Sequence, residues 1–360
     1  MNTEDRNRAL NRLGQSLWVD NITRAMLDDG TLARYIGELS VTGLTSNPTI
    51  FDKAISSGDD YSESIDRLAA EGKDPEEIFF ALALEDLERA ADLFGPTHDR
   101  TDGVDGWVSL EVSPLLADDA EATIAQASDL FARAGRDNLL IKIPGTEAGL
   151  VAIEEVIYRG IPVNVTLLFS PGQYLAAADA YMKGVERRID EGLNPAVGSV
   201  ASLFISRWDA AVIDDVPAEL RAKLGLAVGR QAYASYRDLI AGDRAQRIAN
   251  EGGRVQRLLM ASTGTKDPEA SDVLYVEGLA APNTVNTMPE GTLLAFAEHG
   301  ELDGPLAVDG GDADEVIAAY EQAGFDVQAL ADRLQQEGKE AFADSWGGLI
   351  GSISGRLSAA

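Results

Sequence analysis

Lys142 is the residue of this sequence best placed for covalent chemistry on a carbonyl compound. Apolar neighbours surround it in the segment NLLIKI, residues 138–143. Such surroundings disfavour a charged ammonium, and the neutral amine is the form that attacks a carbonyl carbon. The remaining lysines stand among polar residues of helices or loops, as expected of solvated side chains: Lys53, Lys73, Lys183, Lys223, Lys266 and Lys339. Lys142 is therefore the candidate nucleophile, and the alternative is an inert buried ion pair with Glu111 or Asp20.

Strand periodicity directs the polar side chains of four predicted strands toward one place. Successive side chains of a strand point to opposite faces, so Leu139, Ile141 and Ile143 share one face and Lys142 lies on the other. A polar interior is energetically unfavourable unless it has a function. The sequence thus predicts an active site where these strands end. The same alternation in LWVD, WVSLEVSP and PVNVTLLF selects as inward-facing residues Asp20, Ser109, Glu111, Asn164 and Thr166.

Asp20 and Glu111 are the predicted acid–base pair. Two carboxyls near an amine can hold different protonation states and so divide the proton transfers of a reaction. For Asp20 alone, capping of the next helix is an equally ordinary role, because the helix-compatible segment Asn21, Ile22 and Thr23 follows it directly. Its role in proton transfer therefore depends on the other polar residues being close to it.

Eight strand-like segments alternate with longer helical patterns along the chain, which is typical of βα units around a parallel sheet. Eight such units favour a closed (β/α)8 TIM barrel, although the alternation alone also permits a doubly wound sheet. We expect one domain over residues 1–360, with additional helices and a helical C-terminal extension from about residue 290. The predicted strands are Ser16–Asp20, Ser40–Leu44, Gly106–Val112, Asn138–Ile143, Pro162–Leu168, Val200–Ile205, Arg257–Thr263 and Thr284–Met288.

The helical pattern is clearest in three segments. Apolar residues recur at i, i+3 and i+4 over Ile78–Phe94, over Tyr174–Ile189 and from Val327 to Leu334 and onward. The segment Val273–Leu279 has the composition of a strand, but the following NTVNTMP is the better final strand of a barrel. We therefore predict a helix or a loop for Val273–Leu279.

Composition excludes several classes of function. Cysteine is absent and the histidines are only His98 and His299, which argues against thiolate nucleophiles, zinc clusters or any other metal site. With 60 acidic and 30 basic residues, the formal net charge of −30 repels nucleic acids and anionic lipids. No apolar run approaches the length of about 18 residues that a membrane span needs. We expect a cytoplasmic protein without a cofactor; its acidic surface is either ordinary solvation or an adaptation to high salt.

Six segments resemble the transaldolase family, and the resemblance extends along nearly the whole chain. Each segment alone has little specificity, but six in the right order on six different strands are highly specific. The similarity implies a (β/α)8 barrel of the class I aldolase type, which works without metal and forms a Schiff base through a lysine of the fourth strand. The segments are LWVD (17–20), TSNPTIF (45–51), SLEVSP (109–114), IKIPGT (141–146), PVNVTLLFS (162–170) and ASTGTKD (261–267).

The resemblance implies a role for each matching residue. Lys142 is the Schiff-base lysine, and Asp20 is the acid and base at the sugar hydroxyl. Glu111 and Thr166 hold the water used in forming and breaking the carbinolamine. The substrate contacts implied are Asn47 and Asn164 at the hydroxyls of the three-carbon unit, and Ser202, Phe204, Arg207, Ser262 and Lys266 at the rest of the sugar phosphate and its phosphate group.

One departure from the family pattern concerns the phosphate site. Many transaldolases have an arginine after the seventh strand, whereas Lys266 is the cation available in this loop. Lysine binds phosphate as a point charge, without the two-pronged fork of arginine. The loop resembles that of a longer subfamily with an STGTK segment and a VNTMP strand. The implied partners are sugar phosphates, with a homo-oligomer as an open possibility.

Two other functions remain open at this stage. A fructose-6-phosphate aldolase would share the fold and the lysine, but that shorter relative carries glutamine where this chain has Glu111 and tyrosine where it has Phe204. Both positions favour the transferase. A barrel that binds sugar phosphates without catalysis would require the amine of Lys142 to be chemically idle.

Overall fold

Strands of four to six residues, and one of three, form a single parallel sheet in the computed structural model, which describes residues 3–359. Buried apolar residues alternate with inward-facing ones along these strands, as the sequence predicts. Each of the eight predicted strands is present, so this part of the prediction is confirmed. The strands are β1 (Ser16–Asp20), β2 (Gly43–Thr45), β3 (Val108–Glu111), β4 (Leu139–Pro144), β5 (Val163–Leu168), β6 (Ser199–Phe204), β7 (Arg257–Ala261) and β8 (Val285–Met288).

The sheet closes on itself. Its strands follow the order β2-β1-β8-β7-β6-β5-β4-β3, and β2 meets β3 through a parallel bridge between Gly43 and Trp107. There the amide of Leu44 donates to the carbonyl of Trp107 at 3.0 Å. The predicted (β/α)8 barrel is therefore confirmed over the doubly wound sheet, and the carboxyl ends of the strands meet at one rim.

Several strands are shorter than predicted, and at β2 and β7 a left-handed residue lies within the predicted range but outside the strand. Ser40 and Ser262 both have left-handed backbones, with φ of 58° and 55°, which interrupts regular strand pairing. β2 accordingly begins at Gly43, and β7 ends at Ala261. Leu167 has the same conformation inside β5, and the register with β6 shifts there. A Cβ atom at Gly43 would lie 2.7 Å from the indole of Trp18, so glycine is required where β2 passes that ring.

The helices surround the barrel, and several begin at a side-chain cap that the sequence supplies. Asp74 and Glu77 form a reciprocal capping box at the start of α6, and Ser170 caps α9. The three predicted helical segments lie within α6, α9 and α16. Within Val273–Leu279, residues Leu274–Gly278 form α13, so the prediction of a helix or a loop there is confirmed. The helices are α1 (Thr3–Leu13), α2 (Arg24–Asp28), α3 (Thr31–Glu38), α4 (Pro48–Ser57), α5 (Ser62–Ala70), α6 (Pro75–Arg100), α7 (Ala120–Ala134), α8 (Glu147–Tyr158), α9 (Pro171–Asp190), α10 (Ser206–Val212), α11 (Leu224–Ala241), α12 (Asp243–Asn250), α13 (Leu274–Gly278), α14 (Glu290–His299), α15 (Ala313–Gln322) and α16 (Val327–Ala359).

Apolar side chains fill the barrel at its amino end. They form a cluster separate from the larger core that lies between the strands and the helices. Inside the barrel, the polar residues lie above this cluster, nearer the carboxyl ends of the strands. The interior is thus apolar below and polar above, which directs the chemistry to the carboxyl ends of the strands. The cluster consists of Trp18, Trp107, Leu140, Val200, Leu259, Ala261 and Val285.

The last three helices form the predicted extension, and α16 runs across the carboxyl end of the barrel. It packs against α4 and α6 and touches β5. The side-chain amide of Gln335 donates to the carbonyl of Gly145 at 3.2 Å and to that of Leu167 at 2.9 Å. No helix within residues 3–359 is long and apolar enough to cross a bilayer.

Candidate active site

A cavity of about 350 Å³ opens at the carboxyl end of the barrel. The strand order brings side chains from β1, β4, β5, β6 and the loops after β2 and β7 to its walls, although they are far apart in the sequence. Of the eleven residues that the sequence predicts for the site, the structure places nine on these walls: Asp20, Asn47, Lys142, Thr166, Ser202, Phe204, Arg207, Ser262 and Lys266.

Lys142 lies at the inner end of the cavity and is paired with Glu111. The two residues are register partners across β3 and β4, and Lys142 Nζ lies 3.1 Å from Glu111 Oε2. The amine also donates to the carbonyl of Ser46 at 3.2 Å. Both side chains are only 6% exposed. The amine is therefore held in one position by two acceptors, with its carboxylate partner withdrawn from solvent.

Asp20 faces the same cavity from β1. The hydroxyl of Thr45 donates to Asp20 Oδ1 at 2.7 Å, and the amide of Asn47 donates to the same carboxyl. Burial raises the pKa of Asp20 above its ordinary value, against the opposing influence of the Lys142 charge and of these two hydrogen bonds. The helix cap that Asp20 could have supplied comes from Thr23, whose hydroxyl accepts from the amide of Met26. Asp20 therefore does not cap this helix.

Glu111 experiences a similar environment. Burial raises its pKa, the neighbouring Lys142 ammonium lowers it, and the negative charge of Asp20 raises it further. A carboxyl of this kind takes up a proton at higher pH than an exposed glutamate does. The site thus contains two carboxyls near one amine: Glu111 in contact with it, and Asp20 facing the cavity, where it can exchange a proton with a bound molecule.

A chain of buried hydrogen bonds lies beneath the cavity wall. Asn164 donates to the hydroxyl of Ser109 at 3.1 Å and accepts from that of Ser202 at 2.7 Å, which fixes the orientation of its amide. Asn164 and Glu111 therefore lie behind the cavity surface instead of on it. Thr166 is also fully buried, and its hydroxyl makes no hydrogen bond to any described residue. That hydroxyl is available to a bound molecule or to water.

Cations surround the mouth of the cavity. Arg207 and Lys266 are exposed, line the cavity and form no ion pair with another residue in the described part of the chain. Lys53, on α4, shares these properties and was not predicted as a site residue. The hydroxyl of Ser262 lies 3.0 Å from that of Ser206, below the cations. In a chain with a net charge of −30, unpaired cations at one rim favour an anionic ligand there.

The loop that carries Lys266 is fixed by the next residue. Asp267 accepts two hydrogen bonds from Arg221, at 2.6 and 2.9 Å, and its side chain is 5% exposed. A bidentate contact of this kind sets the direction of both side chains. Lys266 therefore projects toward the cavity from a loop whose position depends on Arg221.

Other cavity residues were not predicted, and the sequence offered a signal for only some of them. Thr45 and Thr287 line the cavity and their hydroxyls lie 2.8 Å apart. The inward alternation of β2 and β8 would have selected both of them. Lys53 and Phe342 lie on helices whose pattern indicates only an exposed cation and an apolar contact.

A larger depression, of about 670 Å³, lies at the amino end of the barrel but has a different character. Its charged groups bond one another: Arg257 donates to Ser16 at 2.6 Å and lies 3.5 Å from Asp105, which also accepts from Trp18. No lysine lines it. Within residues 3–359, no cluster of histidine and carboxylate side chains suits a metal ion. The carboxyl end is the candidate active site.

The chain belongs to the family described as Transaldolase/Fructose-6-phosphate aldolase, whose sequence model matches residues 17–353. Proteins named Transaldolase are similar over their full length. That of Mycolicibacterium smegmatis is 43% identical, over 98% of this chain and 97% of the relative. That of Saccharopolyspora erythraea is 42% identical over 99% of each, and that of Frankia alni 43% over 97% and 96%. The predictions of family membership and of a transaldolase-type enzyme are confirmed.

Proposed function

We propose that this protein is a transaldolase, which transfers a dihydroxyacetone unit from sedoheptulose 7-phosphate to glyceraldehyde 3-phosphate and yields erythrose 4-phosphate and fructose 6-phosphate. The observation that carries this proposal is the buried amine of Lys142, 3.1 Å from Glu111, in a cavity shared with Asp20 and bordered by unpaired cations. The names of the full-length relatives support it. The reaction belongs to the non-oxidative pentose phosphate pathway.

Schiff-base formation begins when Lys142 loses a proton and attacks the ketone carbon of the donor. Glu111 is the acceptor in contact with the amine, and its raised pKa favours proton uptake. The carbinolamine then loses its hydroxyl as water and becomes a protonated imine. Glu111 and the unbonded hydroxyl of Thr166 are the groups proposed to hold that water.

Carbon–carbon cleavage requires a base at the hydroxyl next to the bond that breaks. Asp20 takes this proton, the bond electrons flow toward the iminium nitrogen of Lys142, and the aldose phosphate leaves. The remaining three carbons stay bound as an enamine. Thr45 and Asn47 orient the Asp20 carboxyl for this step. Asn47 is proposed to contact the hydroxyls of the three-carbon unit, whereas Asn164, behind the cavity surface, orients the hydroxyl of Ser202.

Transfer is the reverse of cleavage with a different aldehyde. The enamine attacks the carbonyl carbon of glyceraldehyde 3-phosphate, and Asp20 returns its proton to the new hydroxyl. Water then releases the ketose and restores the Lys142 amine. Arg207 and Lys266, with the hydroxyls of Ser202 and Ser262, are proposed to bind the terminal phosphate or the sugar chain beside it. Such remote binding positions donor and acceptor for the reaction.

Borohydride trapping tests the Schiff base directly. Reduction in the presence of fructose 6-phosphate should inactivate the enzyme and add a three-carbon or ketose-phosphate unit to Lys142 in a peptide mass map. The Lys142→Arg variant should be inactive and take up no label. Lys183→Arg is the matched control, because Lys183 is an exposed lysine of α9 paired with Asp179. Label on Lys53, Lys266 or another lysine would refute the mechanism.

Fructose-6-phosphate aldolase is the alternative within the family. It would release free dihydroxyacetone from the same enamine. The glutamate at Glu111 and the phenylalanine at Phe204 favour the transferase, by resemblance. Rapid splitting of fructose 6-phosphate in the absence of an acceptor aldehyde would establish the aldolase in its place.

The location, domain organisation and oligomeric state of the protein are also proposals. We assign the protein to the cytoplasm, as expected of this enzyme family, and to a single catalytic domain, which the family match over residues 17–353 supports. Cell fractionation tests the first assignment, and limited proteolysis tests the second. A homo-oligomer is consistent with the chain, and sedimentation of the purified protein determines its state.

A further inference from the structure

Phe342 is an aromatic residue of the C-terminal helix that reaches the candidate active site. Its ring centroid lies 5.5 Å from Lys142 Nζ, and the ring forms part of the cavity wall. It also packs edge-on against Phe204, with the two centroids 6.4 Å apart. The C-terminal extension thus contributes directly to the surroundings of the amine, although it follows the eight strands in the sequence.

Contacts on both sides of Phe342 hold it in this position. Toward the start of α16, Gln335 bonds the backbone just after β4 and at the end of β5, the strands that carry Lys142 and Thr166. Toward its end, the hydroxyl of Ser345 accepts from Thr49 at 2.9 Å. Trp346 is buried against Phe79, with a centroid distance of 5.0 Å. The contacts of α16 on both sides of Phe342 therefore hold its ring at the cavity wall.

A second cavity, of about 220 Å³, lies on the other side of this wall. Leu167, Phe169, Leu334 and Gly338 line it, and it shares Phe204, Arg207 and Phe342 with the candidate active site. Truncating the ring would remove part of this shared wall and enlarge the space beside Lys142. Phe342 is therefore one of three residues between the two spaces, and its ring lies 5.5 Å from Lys142 Nζ.

We propose that Phe342 is a specificity-determining residue, whose ring shields the enamine on Lys142 from water and so favours transfer to an aldehyde over release of free dihydroxyacetone. The inference rests on the proposed transaldolase function. Release needs a proton at the enamine carbon, which gives an imine, and then addition of water to the imine carbon. The carbon–nitrogen bond breaks, dihydroxyacetone leaves, and Lys142 recovers its amine. Excluding water from an active site suppresses such side reactions.

The ring has a second effect that acts in the same direction. Its face attracts a cation, and the nitrogen of Lys142 is positively charged in the imine intermediates. The ring thereby holds this nitrogen in place in the imines that precede and follow the neutral enamine. Loss of the ring should affect the fate of the intermediate more than the initial binding of the donor.

The test compares two rates in the same preparation of full-length enzyme. Release is measured as dihydroxyacetone formed from fructose 6-phosphate alone, and transfer as sedoheptulose 7-phosphate formed when erythrose 4-phosphate is added. In Phe342→Ala the ratio of release to transfer should rise about 10-fold or more, while KM for the donor changes little. In Phe342→Leu, which keeps most of the side-chain volume and folds more readily, the ratio should rise by a smaller factor. The control is Phe325→Leu, at a ring that precedes α16 and packs on Tyr320.

The outcomes separate this inference from the proposed function. If wild-type enzyme transfers and labels at Lys142 but the ratio is unchanged in both Phe342 variants, the inference is wrong and the function stands. If Phe325→Leu raises the ratio as much as Phe342→Leu does, general loosening of the C-terminal segment explains the effect and the inference is again wrong. If the wild-type enzyme already releases dihydroxyacetone as fast as it transfers it, both proposals fail.

Discussion

Asp20 shows how a reactive carboxyl affects the stability of its own fold. Burial is the largest influence on it and raises its pKa. A carboxyl with a higher pKa in the folded than in the unfolded chain binds its proton more tightly in the fold. That contribution to stability is fully present at pH values below the ordinary carboxyl range and is lost as pH rises through the raised pKa. At neutral pH the ionised Asp20 is therefore unfavourable for the folded state.

Replacing Asp20 by Asn should stabilise the protein while abolishing most of its activity. We expect the Tm of Asp20→Asn to exceed that of the wild type by roughly 1–3 °C at pH 8, and the difference to shrink toward pH 5, where the wild-type carboxyl is increasingly protonated. Scanning calorimetry at several pH values measures this. Asp303→Asn is the control, since it removes a charge at an exposed residue. A Tm difference that grows on acidification would contradict the assignment of burial as the main influence.

Lys266 tests the phosphate site, because no described residue neutralises it. In Lys266→Ala, kcat/KM for phosphorylated donors should fall by about 10- to 1000-fold, from the loss of one charge-assisted contact of ~1.5–3 kcal/mol and some misplacement of the donor. The slow reaction with an unphosphorylated donor should change little, because Lys142, Asp20 and Glu111 are intact. Equal losses on both donors would show that Lys266 supports the fold or the chemistry instead.

Lys53 allows a graded comparison with Lys266. It lines the same cavity from α4 and is also without an ion pair among the described residues. If it contacts the phosphate as well, Lys53→Ala should show the same selective loss for phosphorylated donors, and the double variant should lose more than either single one. Steady-state kinetics with matched donors measures this. An effect no larger than that of Lys183→Ala, an exposed lysine remote from the cavity walls, would remove Lys53 from the site.

At the scale of elements, the ion pair between Arg221 and Asp267 is the contact of the loop after β7 that lies next to Lys266. Arg221 holds Asp267 through two hydrogen bonds, and Asp267 follows Lys266 directly. Arg221→Ala should raise KM for phosphorylated donors about 10-fold through loss of position, with little change in borohydride labelling of Lys142 by dihydroxyacetone. Arg221→Lys should recover only part of the loss, because lysine lacks the bidentate fork. An unchanged KM in Arg221→Ala would show that the loop keeps its position without this ion pair.

The alternation of side chains along each strand predicted which residues face the barrel interior, because it depends only on local strand geometry. Alternation selected Asp20, Glu111, Lys142 and Thr166 correctly as neighbours inside the barrel, since a closed parallel sheet brings the carboxyl ends of all its strands together. The same rule could not show that Asn164 lies behind the cavity surface. That outcome depends on its hydrogen bonds to two serines from other strands.

Residues contributed by helices were beyond the reach of periodicity. Phe342 is one apolar residue among many in α16, and its contact with Lys142 joins residues 200 positions apart in the sequence. Helical spacing indicates that such a residue is buried against something, but the partner is set by where the whole helix packs. Periodicity also could not predict where β2 begins. Ser40 has a left-handed backbone, which serine only rarely adopts and which the sequence pattern does not reveal.

At the scale of the whole molecule, the dominant property is a net charge of −30. Self-repulsion between exposed carboxylates destabilises the folded state at low ionic strength. Raising sodium chloride from about 0.01 to 0.3 M should therefore increase Tm by roughly 2–5 °C, because the Debye length falls from about 30 Å to well below 10 Å. Calorimetry at graded salt measures this. The gain should then level off; a rise that continues linearly to molar salt would indicate exclusion of the salt from the surface and favour adaptation to a saline cell.

The position of α16 in the chain has a consequence for how the protein is made. During synthesis, Lys142 and both carboxyls leave the ribosome well before β8, and α16 emerges after β8. The barrel cannot close until Val285–Met288 pairs with β1, and Phe342 reaches Lys142 only after α16 has docked. A nascent chain therefore carries the complete set of reactive groups without the enclosure that gives them their reactivity. The surroundings of the nucleophile are therefore complete only once α16 has been synthesised and has docked.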